Sequence, residues 1–219
     1  MGAVFARLLA RVGLPIFGFR VHVENQNRLY MNQPCIYVAN HQSNLDIFTM
    51  SPMFPYRTVV IGKKELKWVP LFGLFFMGAG NIMINRSDRS HSLAGLEAAA
   101  KHIHESGASV WIFPEGTRNR GAAEMLPFKK GAFRLAIAAQ VPIVPIVHQH
   151  LYSYAQIEDR RLIGGDILIR VLEPVPTAGM TVTDLDALMT EVRRRMQIAL
   201  ADEAMKPYAV AHQSSVVGS

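Results

Sequence analysis

The apolar positions of this chain fall into short runs separated by longer amphipathic stretches. Phe19, Val21 and Val23 alternate with polar residues, the period of a half-exposed strand. Apolar runs at residues 35–39, 58–61, 81–84, 109–113 and 143–147, with the segment 166–172, predict six further strands. Helical patterns fill the gaps at 45–53, 65–76, 93–105 and 131–140; Pro52 and Pro55 stop the first, and Gly107 stops the third. A long amphipathic helix is expected over 181–204, capped by Thr181 or Thr183. An N-terminal helix over 1–12 is expected to break at Gly13 and Pro15.

Strands alternating with helices define an α/β fold: a mostly parallel or mixed central sheet of about seven strands, flanked by helices. No repeat, linker or low-complexity stretch divides the chain. The expected organisation is an apolar helical segment over 1–18, suited to membrane association, a single domain over 19–206, and a disordered tail over 207–219. In such sheets ligands bind beyond the carboxyl ends of the strands. The polar clusters at 40–46, at Asn85-Arg86, at 114–118 and around His148 all fall at those ends.

Composition narrows the partners. A formal charge of +6 favours anions, whether phosphorylated metabolites or acidic headgroups. The basic residues are dispersed and no nucleic-acid-binding motif accompanies them, so nucleic acid is not an expected partner. The single cysteine, Cys35, excludes an intrachain disulfide and reads as a small core residue in a reducing compartment. No stretch reaches the roughly 20 apolar residues that span a bilayer. Residues 68–79 come partway, following Lys63, Lys64 and Lys67, and fit either a buried core helix or an interfacial segment with Trp68 at headgroup level.

Chemistry concentrates in Asn40-His41-Gln42-Ser43-Asn44-Leu45-Asp46. A histidine at a strand end is a suitable general base for an alcohol, and a carboxylate bonded to one ring nitrogen leaves the other free to accept the proton. Ser43-Asn44-Leu45-Asp46 also fits a helix-capping signature, in which Asp46 merely satisfies backbone N–H groups. Phe113-Pro114-Glu115-Gly116-Thr117-Arg118 exposes backbone N–H groups beside a guanidinium, whose fork suits phosphate; a solvated turn is the plainer reading. Phe128-Lys129-Lys130-Gly131 leads into a helix N-terminus, itself attractive to anions. With Arg86 these cations point to a phosphate monoester. His102-x-His104 and His148-x-His150 lack accompanying carboxylates or thiolates, so no metal site is expected.

Four of these features occur in order: Asn40-His41 with Asp46, Asn85-Arg86, Phe113 through Arg118, and Val141-Pro142-Ile143-Val144-Pro145-Ile146. Together they resemble the four blocks of the glycerolipid acyltransferases, most closely the bacterial 1-acyl-glycerol-3-phosphate (lysophosphatidate) acyltransferases. The resemblance implies that 19–206 is an acyltransferase domain with His41 and Asp46 as catalytic base and orienter. It assigns Arg86, Glu115, Gly116, Thr117 and Arg118 to the glycerol phosphate, and Pro142 and Pro145 to shaping the acyl-donor side. Lys129 is assigned to phosphate on charge and position alone. Relatives often carry a longer hydrophobic N-terminal region than the residues preceding the first strand here.

The implied reaction moves a fatty acyl group from acyl-CoA or acyl-carrier protein to the 2-hydroxyl of lysophosphatidate, giving phosphatidic acid for phospholipid biosynthesis. It needs no cofactor. The implied setting is an anionic membrane surface, the cytoplasmic face of the inner membrane, met as a peripheral or monotopic protein. Three other readings stay open: an acyltransferase acting on glycerol-3-phosphate or another lysophospholipid, a noncatalytic anionic-lipid-binding protein, and a phosphohydrolase using Asp46. Thiol release from an acyl thioester separates the first from the other two.

Overall fold

The computed structural model describes residues 2–63, 82–84, 92–120, 124–156 and 161–205. The helix expected over 65–76, the apolar segment 68–79, Asn85-Arg86 and the tail from 207 lie outside the described residues. Seven strands form one sheet: β1 (Phe19–Glu24), β2 (Ile36–Ala39), β3 (Thr58–Lys63), β4 (Ile82–Ile84), β5 (Ser109–Ile112), β6 (Ile143–His148) and β9 (Gly165–Val171), in the order β1-β9-β6-β2-β5-β3-β4. They are the seven strands expected from the apolar pattern. A separate two-stranded hairpin, β7 (Ala155–Gln156) and β8 (Arg161–Leu162), lies between β6 and β9 and was not expected.

Within the seven-stranded sheet every pairing is parallel except β6 with β9, which are antiparallel. The sheet is therefore mixed: β1 and β9 run against the other five strands. β6 carries Pro145 in its middle, where the missing N–H removes a donor. Its carbonyl still accepts from Leu172 N at 2.9 Å.

The continuous apolar runs are explained by two-sided burial. In β2, Ile36 and Val38 face a core built with α4 (Ser92–Ser106), α5 (Gly131–Ala139) and α6 (Leu185–Ala201). Cys35, Tyr37 and Ala39 face a second core containing Leu45, Met50, Trp111 and Ile146. Large side chains such as Tyr37 and Trp111 are buried, each contributing about 1.5–3 kcal/mol. Burial pushes the Cys35 thiol up to about 11, so it stays protonated.

Helix α1 (Gly2–Phe17) does not break where expected; it runs through both Gly13 and Pro15. Its inner face is Ala3, Ala6, Ala10 and Gly13, small enough to lie close against the one-turn helix α3 (Asp46–Thr49). A Cβ at Gly13 would stand 2.1 Å from Phe48 Cδ1, so this glycine is a contact residue rather than a breaker. Pro15 lies in the last turn, and Gly18, at φ +66°, ends the helix by donating to Pro15 O at 3.1 Å. The outer face presents Val4, Leu8, Val12 and Ile16, all more than half exposed. Helix α3 is shorter than the pattern suggests, giving way to a 3-10 turn over Ser51–Met53 where the Ser51 hydroxyl takes the carbonyl of Ile47. Helix α6 opens through a 3-10 turn with Thr181 and Asp184 in a reciprocal capping box.

Candidate active site

The carboxyl ends of β2, β5 and β6 meet at one edge of the sheet, and their following loops build the site. After β2 the chain turns so that Asp46, 2% exposed, lies under His41. Asp46 Oδ2 accepts from His41 Nδ1 at 2.7 Å and from Gln42 N at 2.7 Å, while Oδ1 accepts from Ser43 N at 3.2 Å. The carboxylate thus both closes the turn and fixes the imidazole. A carboxylate can only accept, so Nδ1 carries the proton and Nε2 is the acceptor. The His41 side chain keeps 24% of its surface exposed, which leaves its open nitrogen approachable. Its other freedom is removed by Phe113, whose ring stacks on the imidazole with centroids 4.2 Å apart.

The loop after β5 supports His41 rather than merely facing it. Glu115, 2% exposed, accepts from His41 N at 2.8 Å through Oε1 and from Leu126 N at 2.9 Å through Oε2. Burial pushes its carboxyl above the ordinary carboxylate range, outweighing those two bonds and the field of His41. With each oxygen accepting from a backbone N–H, Glu115 ties this loop to the backbone of His41, a role beside the one expected of it at the glycerol phosphate. Asn119 N donates to His41 O at 2.8 Å, so both backbone groups of His41 are held from this loop.

Gly116, Thr117 and Arg118 follow Glu115 in the same loop, and Lys129 lies against Gly116. The Gly116 N–H closes a turn on Phe113 O at 3.1 Å, and its φ of +68° is one that favours glycine. A Cβ there would lie 2.9 Å from Lys129 Nζ, so glycine also makes room for the ammonium. Lys129 N is anchored to Pro114 O at 2.8 Å. Arg118 Nη1 donates to Asn44 Oδ1, drawing the guanidinium over the loop that carries His41. Arg86 lies outside the described residues. Pro142 and Pro145 are not gathered with these groups: Pro142 leads into β6, its carbonyl accepting from Ile36 N at 2.9 Å, and Pro145 stands in the strand opposite Val38.

The sequence set Asn40 and His148 at strand ends without a role for either, and together they form the third wall. Asn40, 2% exposed, mimics a strand partner: its amide donates to His148 O at 2.9 Å and accepts from His148 N at 2.8 Å. Gln42 reaches the same strand end, and His148, wholly buried, places Nε2 2.8 Å from Thr49 Oγ1. Burial lowers the His148 pKa, as it does that of His150. Among the described residues no cluster of metal-ligating side chains occurs.

An imidazole held by a buried carboxylate, beside a loop that carries Arg118 and leads to Lys129, at the carboxyl edge of a mixed sheet, is an arrangement able to support acyl transfer. A family model described as Acyltransferase matches residues 20–149, and the chain belongs to this acyltransferase family. It is 42% identical over 181 residues to 1-acyl-sn-glycerol-3-phosphate acyltransferase alpha of Homo sapiens, covering 83% of this chain and 64% of that one. It is 37% identical over 207 residues to the 1-acyl-sn-glycerol-3-phosphate acyltransferase of Haemophilus influenzae, covering 93% of this chain and 84% of that one. The chain spans just under two thirds of the length of the human and bovine alpha relatives it matches. Its fold is similar to the crystal structure of the 1-acyl-sn-glycerophosphate acyltransferase from Thermotoga maritima, with a TM-score of 0.72 at 24% identity over 91% of this chain and 80% of that one.

Proposed function

We propose that this protein transfers a fatty acyl group from a thioester, acyl-CoA or acyl-carrier protein, to the 2-hydroxyl of 1-acyl-glycerol-3-phosphate. The observation that carries the reading is the 2.7 Å bond from His41 Nδ1 to Asp46, which leaves Nε2 as the proton acceptor of a side chain that keeps 24% of its surface exposed. Nε2 takes the hydroxyl proton as the substrate oxygen attacks the thioester carbonyl. Asp46 stabilises the imidazolium that forms. The tetrahedral intermediate then collapses, the carbon–sulfur bond breaks, and the imidazolium returns the proton to the departing thiolate. The substrate oxygen is the nucleophile, so Ser43 has no covalent role.

Arg118 and Lys129, with Arg86, are assigned to the acceptor's phosphate, where charge-assisted bonds from a planar fork are strong and directional. The names of the relatives support lysophosphatidate as the acceptor. Among the described residues no helix is long and apolar enough to cross a membrane. The outward apolar stripe of α1, with Arg7 and Arg11 nearby, supports a peripheral or monotopic attachment to an anionic surface.

Thiol release from a fatty acyl thioester tests the reading, using wild type and His41→Ala with lysophosphatidate or glycerol-3-phosphate. Release with lysophosphatidate, lost in the variant, is expected. Release with glycerol-3-phosphate alone would move the protein to the first acylation step. No release with either acceptor, in detergent or liposomes, would overturn the enzymatic reading.

A further inference from the structure

Every backbone and side-chain group that fixes His41 has been assigned above except the one that fixes its neighbour. Gln42 is 6% exposed, and its side chain makes a three-way bond to the chain leaving β6. Nε2 donates to His148 O at 2.7 Å and to Gln149 O at 3.0 Å, while Oε1 accepts from Leu151 N at 2.7 Å. Its own backbone N–H is one of the two donors on Asp46 Oδ2, the oxygen that also holds His41 Nδ1. Its carbonyl accepts from Arg120 N at 3.2 Å. Gln42 therefore joins four pieces of the site: the orienting carboxylate, the β6 end, the chain beyond it, and the loop after β5.

We propose that Gln42 is a positioning residue for the acyl transfer, setting the His41–Asp46 geometry from the rigid end of β6. The proposal rests on the reading of His41 as the general base. The contacts suit an amide here. Two carbonyl oxygens face a donor and one amide N–H faces an acceptor, at the end of a side chain long enough to span from β2 to the segment beyond β6. Only glutamine supplies both at that reach. Asparagine has the groups without the length, and glutamate has the length without the donor. A looser turn at Gln42 would let the shared Asp46 oxygen drift. A displacement of about 1 Å at a reacting centre costs on the order of 10²-fold in rate. The candidate phosphate groups Arg118 and Lys129 are not among the partners of the Gln42 side chain, so acceptor binding should change little.

Gln42→Met separates positioning from support. It keeps the volume. His148 O retains Asn40 at 2.9 Å, and Gln149 O retains His148 Nδ1 at 2.7 Å. Leu151 N is the group that loses this partner. Gln42→Glu keeps the bond to Leu151 but turns a carboxylate on two carbonyl oxygens.

The experiment is initial-rate kinetics with lysophosphatidate and an acyl thioester, with kcat corrected for folded fraction by thermal melts. Gln42→Met should lower kcat roughly 10²-fold at an acceptor KM within about twofold of wild type, and Gln42→Glu should lower kcat at least as far. The proposal is overturned if either folded variant keeps kcat within about threefold of wild type, or if the loss appears in KM with kcat intact. Should Gln42→Met not fold, Gln42→Glu decides by the same criteria. Wild type without thiol release would overturn this proposal together with the reading beneath it, and is told apart from the other outcomes by that control.

Discussion

Asp46→Asn gives the sharpest test of how the base is held, because the amide has a forced orientation. The Oδ2 site receives two donors, His41 Nδ1–H and Gln42 N–H, and the Oδ1 site receives one, Ser43 N–H. An asparagine placed there keeps more bonds with its oxygen at the Oδ2 position, turning its NH₂ toward Ser43 N–H. The imidazole then keeps its tautomer, and what disappears is the negative charge that stabilises the imidazolium. At a separation of about 4 Å and an effective dielectric of about 20, that charge contributes about 4 kcal/mol. The expected fall in kcat is about 10³-fold at unchanged acceptor KM. The lost acceptor at Ser43 should cost about 1–3 kcal/mol of stability. Rates of thiol release, corrected for folded protein by denaturant melts, read both effects. If folded Asp46→Asn turned over within about tenfold of wild type, Asp46 would be a cap alone and the charge argument would fail.

Other perturbations test separate parts of the structure. Arg118→Ala should raise the acceptor KM about 10–100-fold, the loss of a charge-assisted pair, and an unchanged KM would remove Arg118 from the phosphate site. Gly116→Ala should destabilise by about 1–2 kcal/mol through its left-handed backbone; it should also raise the acceptor KM by displacing Lys129, and a wild-type melting temperature would refute the strain. Gly13→Ala should cost about 1–3 kcal/mol by driving a methyl into Phe48, read by denaturant unfolding, and a stabilised variant would show that α1 is not seated on α3. Burial holds His148 and His150 below their ordinary value of 6.5 in the folded chain. The unfolded chain then binds more protons, so these groups give full stability above about pH 6.5 and lose it as pH falls, by up to about 1.4 kcal/mol per pH unit each. His148→Gln should flatten that slope in unfolding titrations, and an unaltered slope would remove His148 from the account.

The strands were legible because each apolar run is short and buried on a known number of faces. All seven fall where the pattern puts them, since β2 and β6 are wholly buried while β1 shows one wet face. Strand order and the reversal at β9 were not legible, because pairing joins segments far apart in the chain and leaves no local mark. The hairpin at Ala155 and Leu162 is too short and polar to give a period. Gly13 misled because a residue that weakens an isolated helix is what close packing on Phe48 requires. In the site, His41 and Asp46 are five apart and could be read locally. Glu115 could not: its neighbours in sequence suggest an anion loop, while its partners are the backbone of His41 and of Leu126. Gln42 meets its partners 106 to 109 residues away, a relation no spacing rule contains.

The reversal of β1 and β9 has a consequence for how the protein would meet a lipid surface. Because β1 runs against β2, its first residue, Phe19, starts at the edge where β2 ends, opposite Gly165 and beyond His148. The greasy outer stripe of α1 therefore ends at the edge of the sheet that carries His41, where Phe17 meets Phe48 of α3 with ring centroids 5.1 Å apart, instead of on the far side. A protein seated on a bilayer by that helix would search for its acceptor in two dimensions. Its rate would then follow the mole fraction of lysophosphatidate in the surface, falling when inert lipid dilutes that surface even while the bulk concentration is held constant.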